Sequence, residues 1–89
     1  MNIIIRAKPG TVAHKTKEKL LEGWCWWTVR GKPKKISKGE KVLFGHEGRV
    51  HAEGKVISVD FGFIYMEPLK KVSYPWPCVP PTRGYKYVS

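Results

Sequence analysis

Glycine and proline recur so densely along this 89-residue chain that the longest stretch free of both, Thr11 to Glu22, is twelve residues. Every other such stretch is eight residues or fewer. Proline removes a backbone donor, and glycine weakens the interior of a helix or strand, so the chain must turn often and its elements must be short. A bundle of long helices is excluded. What remains is a mainly β (α+β) domain of short strands. At this length residues 1–89 form a single domain with a thin core, since a chain this size buries only about 60–65% of its unfolded surface. A hydrophobic fraction of 42% is enough for a folded protein and too high for a disordered tail.

Between these breaks the chain reads as an ordered set of strands. Asn2 to Ala7 is β-branched and closed by Lys8-Pro9-Gly10. Thr11 is placed to cap a helix over Val12 to Glu22, with Val12, Thr16, Leu20 and Leu21 on one face and Gly23 at its end. Trp24 to Arg30 is the second strand, followed by a loop through Gly31-Lys32-Pro33-Lys34-Lys35. A third strand covers Lys41 to Gly45, and His46-Glu47-Gly48 turns the chain into a long fourth strand, Arg49 to Val59. Gly54, at a change of phase in the apolar alternation, predicts a bulge there. Phe63 to Glu67 is the fifth strand. Five prolines between Pro68 and Thr82 predict an irregular extended segment, and Tyr85 to Val88 closes the chain as a last strand. This order predicts a small closed β-barrel of five to six strands, with one helix after the first strand.

Lys and Arg number 17 against 7 Asp and Glu, a net charge of +10. Such an excess attracts polyanions, and nucleic acid is the leading partner; general surface charge is the plain alternative. A membrane surface ranks last, because no segment combines a basic face with a long amphipathic helix. No apolar run approaches the ~20 residues of a transmembrane helix, and the first residues lack a signal-peptide pattern, so a cytoplasmic protein is expected. Cys25 and Cys78 are far apart and form no C-x-x-C pair. Neither a metal site nor any other cofactor is expected, and free thiols are. The residues do not fix an oligomeric state; a monomer is favoured.

Three constellations bear on function. Alternation along the second strand puts Trp24, Trp26, Thr28 and Arg30 on one side and Cys25, Trp27 and Val29 on the other. Flat indoles beside a fixed cation suit the stacking of unpaired bases; the same tryptophans would equally fill a gap between helix and barrel. Lys32, Lys34, Lys35, Lys38 and Lys41, with Arg30 before and Arg49 after, form a basic loop able to contact phosphates without reading sequence. Trp76, stiffened between Pro75 and Pro77, either makes a second wall of a base pocket or caps an open end of the barrel; Arg83 follows it.

This order of elements resembles the PUA-like superfamily, in particular ASCH and EVE domains. The resemblance is carried by Gly23-Trp24-Cys25-Trp26-Trp27-Thr28-Val29-Arg30, Ile36 through Phe44, Gly54-Lys55-Val56-Ile57-Ser58-Val59, and the proline-rich close from Pro68-Leu69 to Arg83-Gly84-Tyr85. It implies an RNA-associated barrel with a cleft beside the helix and the second strand. Some ASCH members are enzymes, among them an acetylcytidine amidohydrolase and ribonucleases. In that comparison the catalytic threonine matches Thr28 and the signature arginine matches Arg30, with Glu53 among the downstream carboxylates. The signature lysine falls on Cys25. Loss of that amine removes the base that would activate the threonine, so a non-enzymatic module is favoured.

The leading expectation is therefore a module for RNA or single-stranded nucleic acid, using Trp24, Trp26, Thr28, Arg30, Lys32, Lys34, Lys35, Lys38, Arg49, Trp76 and Arg83. The alternatives are an ASCH-like hydrolase built on Thr28, Arg30 and Cys25, or a protein-interaction domain.

Overall fold

The computed structural model describes residues 1–16, 20–79, 81 and 84–88. Among the described residues there are seven strands: β1 (Asn2–Arg6), β2 (Cys25–Thr28), β3 (Lys41–His46), β4 (Arg49–Asp60), β5 (Phe63–Met66), β6 (Lys70–Pro75) and β7 (Tyr85–Val88). They form one mixed sheet in the order β2-β5-β4-β3-β1-β7, with β6 also paired to β4. Only the β1–β3 pair, among these, is parallel.

Strand β4 organises the sheet. Its twelve residues are long enough to serve two neighbours on one edge, β6 along its first half and β5 along its second, while β3 runs along the other edge. The ladder shifts register between Val50 and Ala52 and between Val56 and Ser58, so β4 bends twice. The predicted bulge at Gly54 is not among these shifts. Gly54 is instead buried where a Cβ would lie 2.6 Å from Leu69 Cδ2 and 2.9 Å from Met66 Sδ. A glycine is required there by close approach of side chains.

The run Ile3-Ile4-Ile5 shows why the sheet has two cores. All three side chains are buried, although successive residues of a strand face opposite ways. Ile3 and Ile5 enter the main core with Val12, Phe44, Val56, Ile64, Met66 and Leu69. Ile4 points the other way, into a smaller cluster with Leu43, Val50 and Val88, covered by Val72, Tyr74, Trp76 and Cys78.

Three expectations change. Hydrogen bonding does not close the sheet into a barrel: the strand order ends at β2 on one side and β7 on the other. The helix is one turn, α1 (Pro9–Val12), followed by a 3-10 turn over Ala13–Lys15. It begins at Pro9 because proline presets the backbone for a first helical position. It ends because Thr16 turns extended, with both its N–H and its hydroxyl bonded to the Ala13 carbonyl and a bridge to Leu69. Leu21, assigned to the apolar face of a longer helix, is 99% exposed. Residues 17–19 of that helix lie outside the described residues. The segment expected to be irregular contains β6, because Pro68 and Pro75 flank a proline-free run whose backbone donors remain available. No helix of the described residues is long and apolar enough to cross a membrane.

Candidate nucleic-acid interface

The alternation read from β2 is the one observed. Cys25 is buried and Trp27 packs edge-on against Phe44 in the core, ring centroids 5.0 Å apart. Trp24 and Trp26 face outward, 48% and 46% exposed, and Thr28 and Arg30 are exposed beyond them.

Pairing with β5 turns two indoles into a stripe. The register sets Trp26 opposite Tyr65 and Thr28 opposite Phe63, so all four side chains share the outer face. Trp24 lies 6.0 Å from Trp26 and 6.0 Å from Tyr65, ring centroid to centroid; Phe63 and Tyr65 are 6.1 Å apart and nearly parallel, at 28°. Phe63 is 39% exposed, and Phe61, in the turn beside it, is more open still. The sequence reading missed Phe61, Phe63 and Tyr65. The alternation Phe63–Tyr65 was visible, but its partner strand was not.

Each end of this stripe opens into a cleft. Beside Trp24 and Tyr65, with Gly23, Ile57 and Ser58, is an apolar cleft of about 530 Å³. Lys38 lies on the other, β3, edge of β4, where the next residue's N–H, that of Gly39, bonds the Val56 carbonyl. At the other end, Thr28 and Arg30 line a cleft of about 790 Å³ with Gly84 and Tyr85, at the gap between β2 and β7.

Lys15, the last residue of the 3-10 turn after α1, is folded against the stripe. Its Nζ lies 5.0 Å from the Trp26 ring centroid and 5.3 Å from that of Trp27, and donates to the Trp26 carbonyl. Burial lowers its pKa, while the nearby Cys25 thiol pulls the other way. Burial likewise pushes the Cys25 thiol up, against the influence of Lys15; its Sγ sits 3.6 Å from the Glu67 carbonyl.

The basic loop is anchored rather than free. The N–H groups of Lys34 and Lys35 both donate to the Tyr87 hydroxyl, at 3.0 and 3.3 Å, and Lys35 Nζ stands 5.7 Å from that ring. Burial pushes the Tyr87 phenol up, but the bonds from Lys35, Tyr85 and Lys34 outweigh it and bring the pKa down. Tyr85 packs edge-on against Tyr87 at 5.5 Å and also lines the β2–β7 cleft, so the loop lies beside that cleft. Pro33 and Ile36 are buried, while Lys32, Lys34, Lys35 and Lys38 are exposed.

Two expected site residues lie elsewhere. Arg49 starts β4, nine residues before Ser58 and about 30 Å away along the strand. Its Nε bonds the Ser73 hydroxyl at 3.1 Å. Trp76 belongs to the same distant end: its ring covers Gly45, where a Cβ would stand 2.5 Å from the indole. Arg83 lies outside the described residues.

Thr28, Arg30 and Cys25, the residues of the hydrolase alternative, are not brought to one face. Thr28 and Arg30 line a cleft in which, among the described residues, no carboxylate, imidazole or thiol takes part. Cys25 faces the core. Glu53 is engaged by Lys41 at 3.3 Å and by the Tyr74 hydroxyl at 3.0 Å, and His51 is bonded to the Ala7 carbonyl at 2.6 Å. Among the described residues no three His, Cys, Asp or Glu are grouped to hold a metal ion. Compared with known families, curated proteins and solved structures, the chain matches none of them.

Proposed function

We propose that the protein is a binding module for single-stranded nucleic acid, with RNA preferred to DNA. Bases stack on Trp24, Trp26, Tyr65 and Phe63, and phosphates are held by Arg30, Lys32, Lys34, Lys35 and Lys38. One observation carries the reading: two tryptophans, each nearly half exposed, stand side by side with two further aromatic rings on the outer face of two paired strands. The apolar residues that a core needs are buried elsewhere, and an exposed cluster of large rings marks a binding surface. On a chain of net charge +10, the matching ligand is a polyanion with flat faces.

The preference for RNA comes from the resemblance to PUA-like domains. On that reading the sheet is a relative of the PUA-like barrel left open between β2 and β7, and that gap faces the ligand.

Fluorescence anisotropy with labelled single- and double-stranded RNA and DNA at several salt concentrations tests the proposal. Single strands should bind more tightly than duplexes, and log K should fall linearly with log salt. Binding no tighter than that of a basic protein of equal size and charge overturns it.

A further inference from the structure

The outward surface of the stripe continues past Trp24. Two residues beyond Tyr65, just past the end of β5, comes Glu67, and two residues before Ile57 on β4 comes Lys55; the Glu67 N–H donates to the Lys55 carbonyl at 2.9 Å. These two residues lead from the apolar cleft into an open trough of about 640 Å³. Lys41 enters it from β3, directly opposite Lys55, and Lys70 enters from the β6 side, opposite Glu53.

Like charges directly across an antiparallel pair repel, so Lys41 facing Lys55 is a cost that an anion would relieve. Glu53 does not relieve it for both, since its two oxygens are taken by Lys41 and by the Tyr74 hydroxyl. Lys55 and Lys70 are exposed and form no ion pair among the described residues. The trough therefore keeps two uncommitted ammonium groups next to the end of the aromatic stripe that lies farthest from Arg30. Bases stacked on Trp26 and Trp24 place the following backbone over this trough.

We infer that Lys55 and Lys70 hold phosphates of the same strand whose bases stack on the tryptophans, so that the bound strand runs from the Arg30 end across the stripe into the trough. This inference rests on the reading under Proposed function and adds a contact site to it. Glu67, the remaining exposed carboxylate of the trough, opposes the same phosphates.

The test is anisotropy of the full chain with a labelled single-stranded oligouridylate across a salt series. It compares wild type, Lys55→Gln/Lys70→Gln, Glu67→Gln, Trp26→Ala, and Lys8→Gln/Lys86→Gln as a control of equal charge change. The trough pair should weaken binding about tenfold and flatten the salt dependence by about 1.4 in log–log slope, two phosphates' worth for a single strand. Glu67→Gln should tighten binding about twofold, a gain that misfolding does not produce, and the control should change affinity less than twofold. If Trp26→Ala weakens binding while the trough pair matches the control and Glu67→Gln changes nothing, the trough is excluded and the stacking surface stands. If wild type binds no better than an unrelated basic protein, both fail.

Discussion

Trp76 and Trp26 both lie on the outside of the sheet, yet they sit in opposite surroundings. Beneath Trp76 is Gly45, a residue with no side chain, so the indole lies against the backbone and seals the small cluster of Ile4, Leu43, Val50 and Val88. Beneath Trp26 is a strand whose inward residues, Cys25 and Trp27, already complete the main core. Its ring therefore has no cavity to fill and remains open beside Trp24 and Tyr65. One tryptophan belongs to stability and the other to the surface, a division set by what lies under each ring.

The largest effect should come from breaking the sealed side. Trp76→Ala should cost about 2–4 kcal/mol in chemical denaturation, and Gly45→Ala, which lifts the same ring, a comparable amount. The fraction that remains folded should bind single strands as wild type does. Should Trp76→Ala instead lower affinity at unchanged stability, the division between the two tryptophans is wrong.

Trp26→Ala sharpens the comparison from the other side. It should weaken binding by about 1–3 kcal/mol, the worth of one stacked base, while the denaturation midpoint barely moves. Tyr87→Phe should act more weakly, by about 1 kcal/mol, since it removes only the hydroxyl that anchors the lysine loop. Amide exchange should accelerate at Lys34 and Lys35 in that variant, whose N–H groups lose their acceptor.

The smallest effect is a difference in pH response. Next to Trp76, burial, then the hydrogen bond and charge of Glu53, push the Tyr74 phenol up to about 12 from 10.0. The unfolded phenol ionises first, so this site loses stability as pH rises between those two values, and Tyr74→Phe should remove that loss. Next to Trp26 the sign reverses. Lys15 is held below its ordinary 10.5 chiefly by burial, so the unfolded chain binds the extra proton and stability at this site rises as pH climbs toward 10.5. Denaturation midpoints of Tyr74→Phe and Lys15→Met across alkaline pH read the two contributions separately.

Much of this was legible in the sequence wherever neighbours along the chain decide. The split of β2 into Trp24, Trp26 and Thr28 outward and Cys25 and Trp27 inward follows from the two-residue period of a strand. The β3–β4 hairpin at His46-Glu47-Gly48 follows from its turn residues; Gly48 has φ 82°, in the region glycine favours. Excess positive charge follows from composition alone. The short helix was less legible: Val12, Thr16 and Leu20 do pack on the core, as a helical period would have them, but Thr16 is already extended and Leu21 points into water.

Strand pairing decided the rest. Only the β2–β5 register brings Phe63 and Tyr65 beside the tryptophans, and only the length and bends of β4 carry Arg49 away from them. Trp76 went to the far end because Gly45 leaves room for an indole, a fit between residues 31 positions apart that no local pattern records. The chain by itself determined which side chains share a face of each strand, because that is a matter of backbone geometry between neighbours. Which faces were brought together, and which were left open to a ligand, was settled by long-range packing in a core too small to enclose every ring.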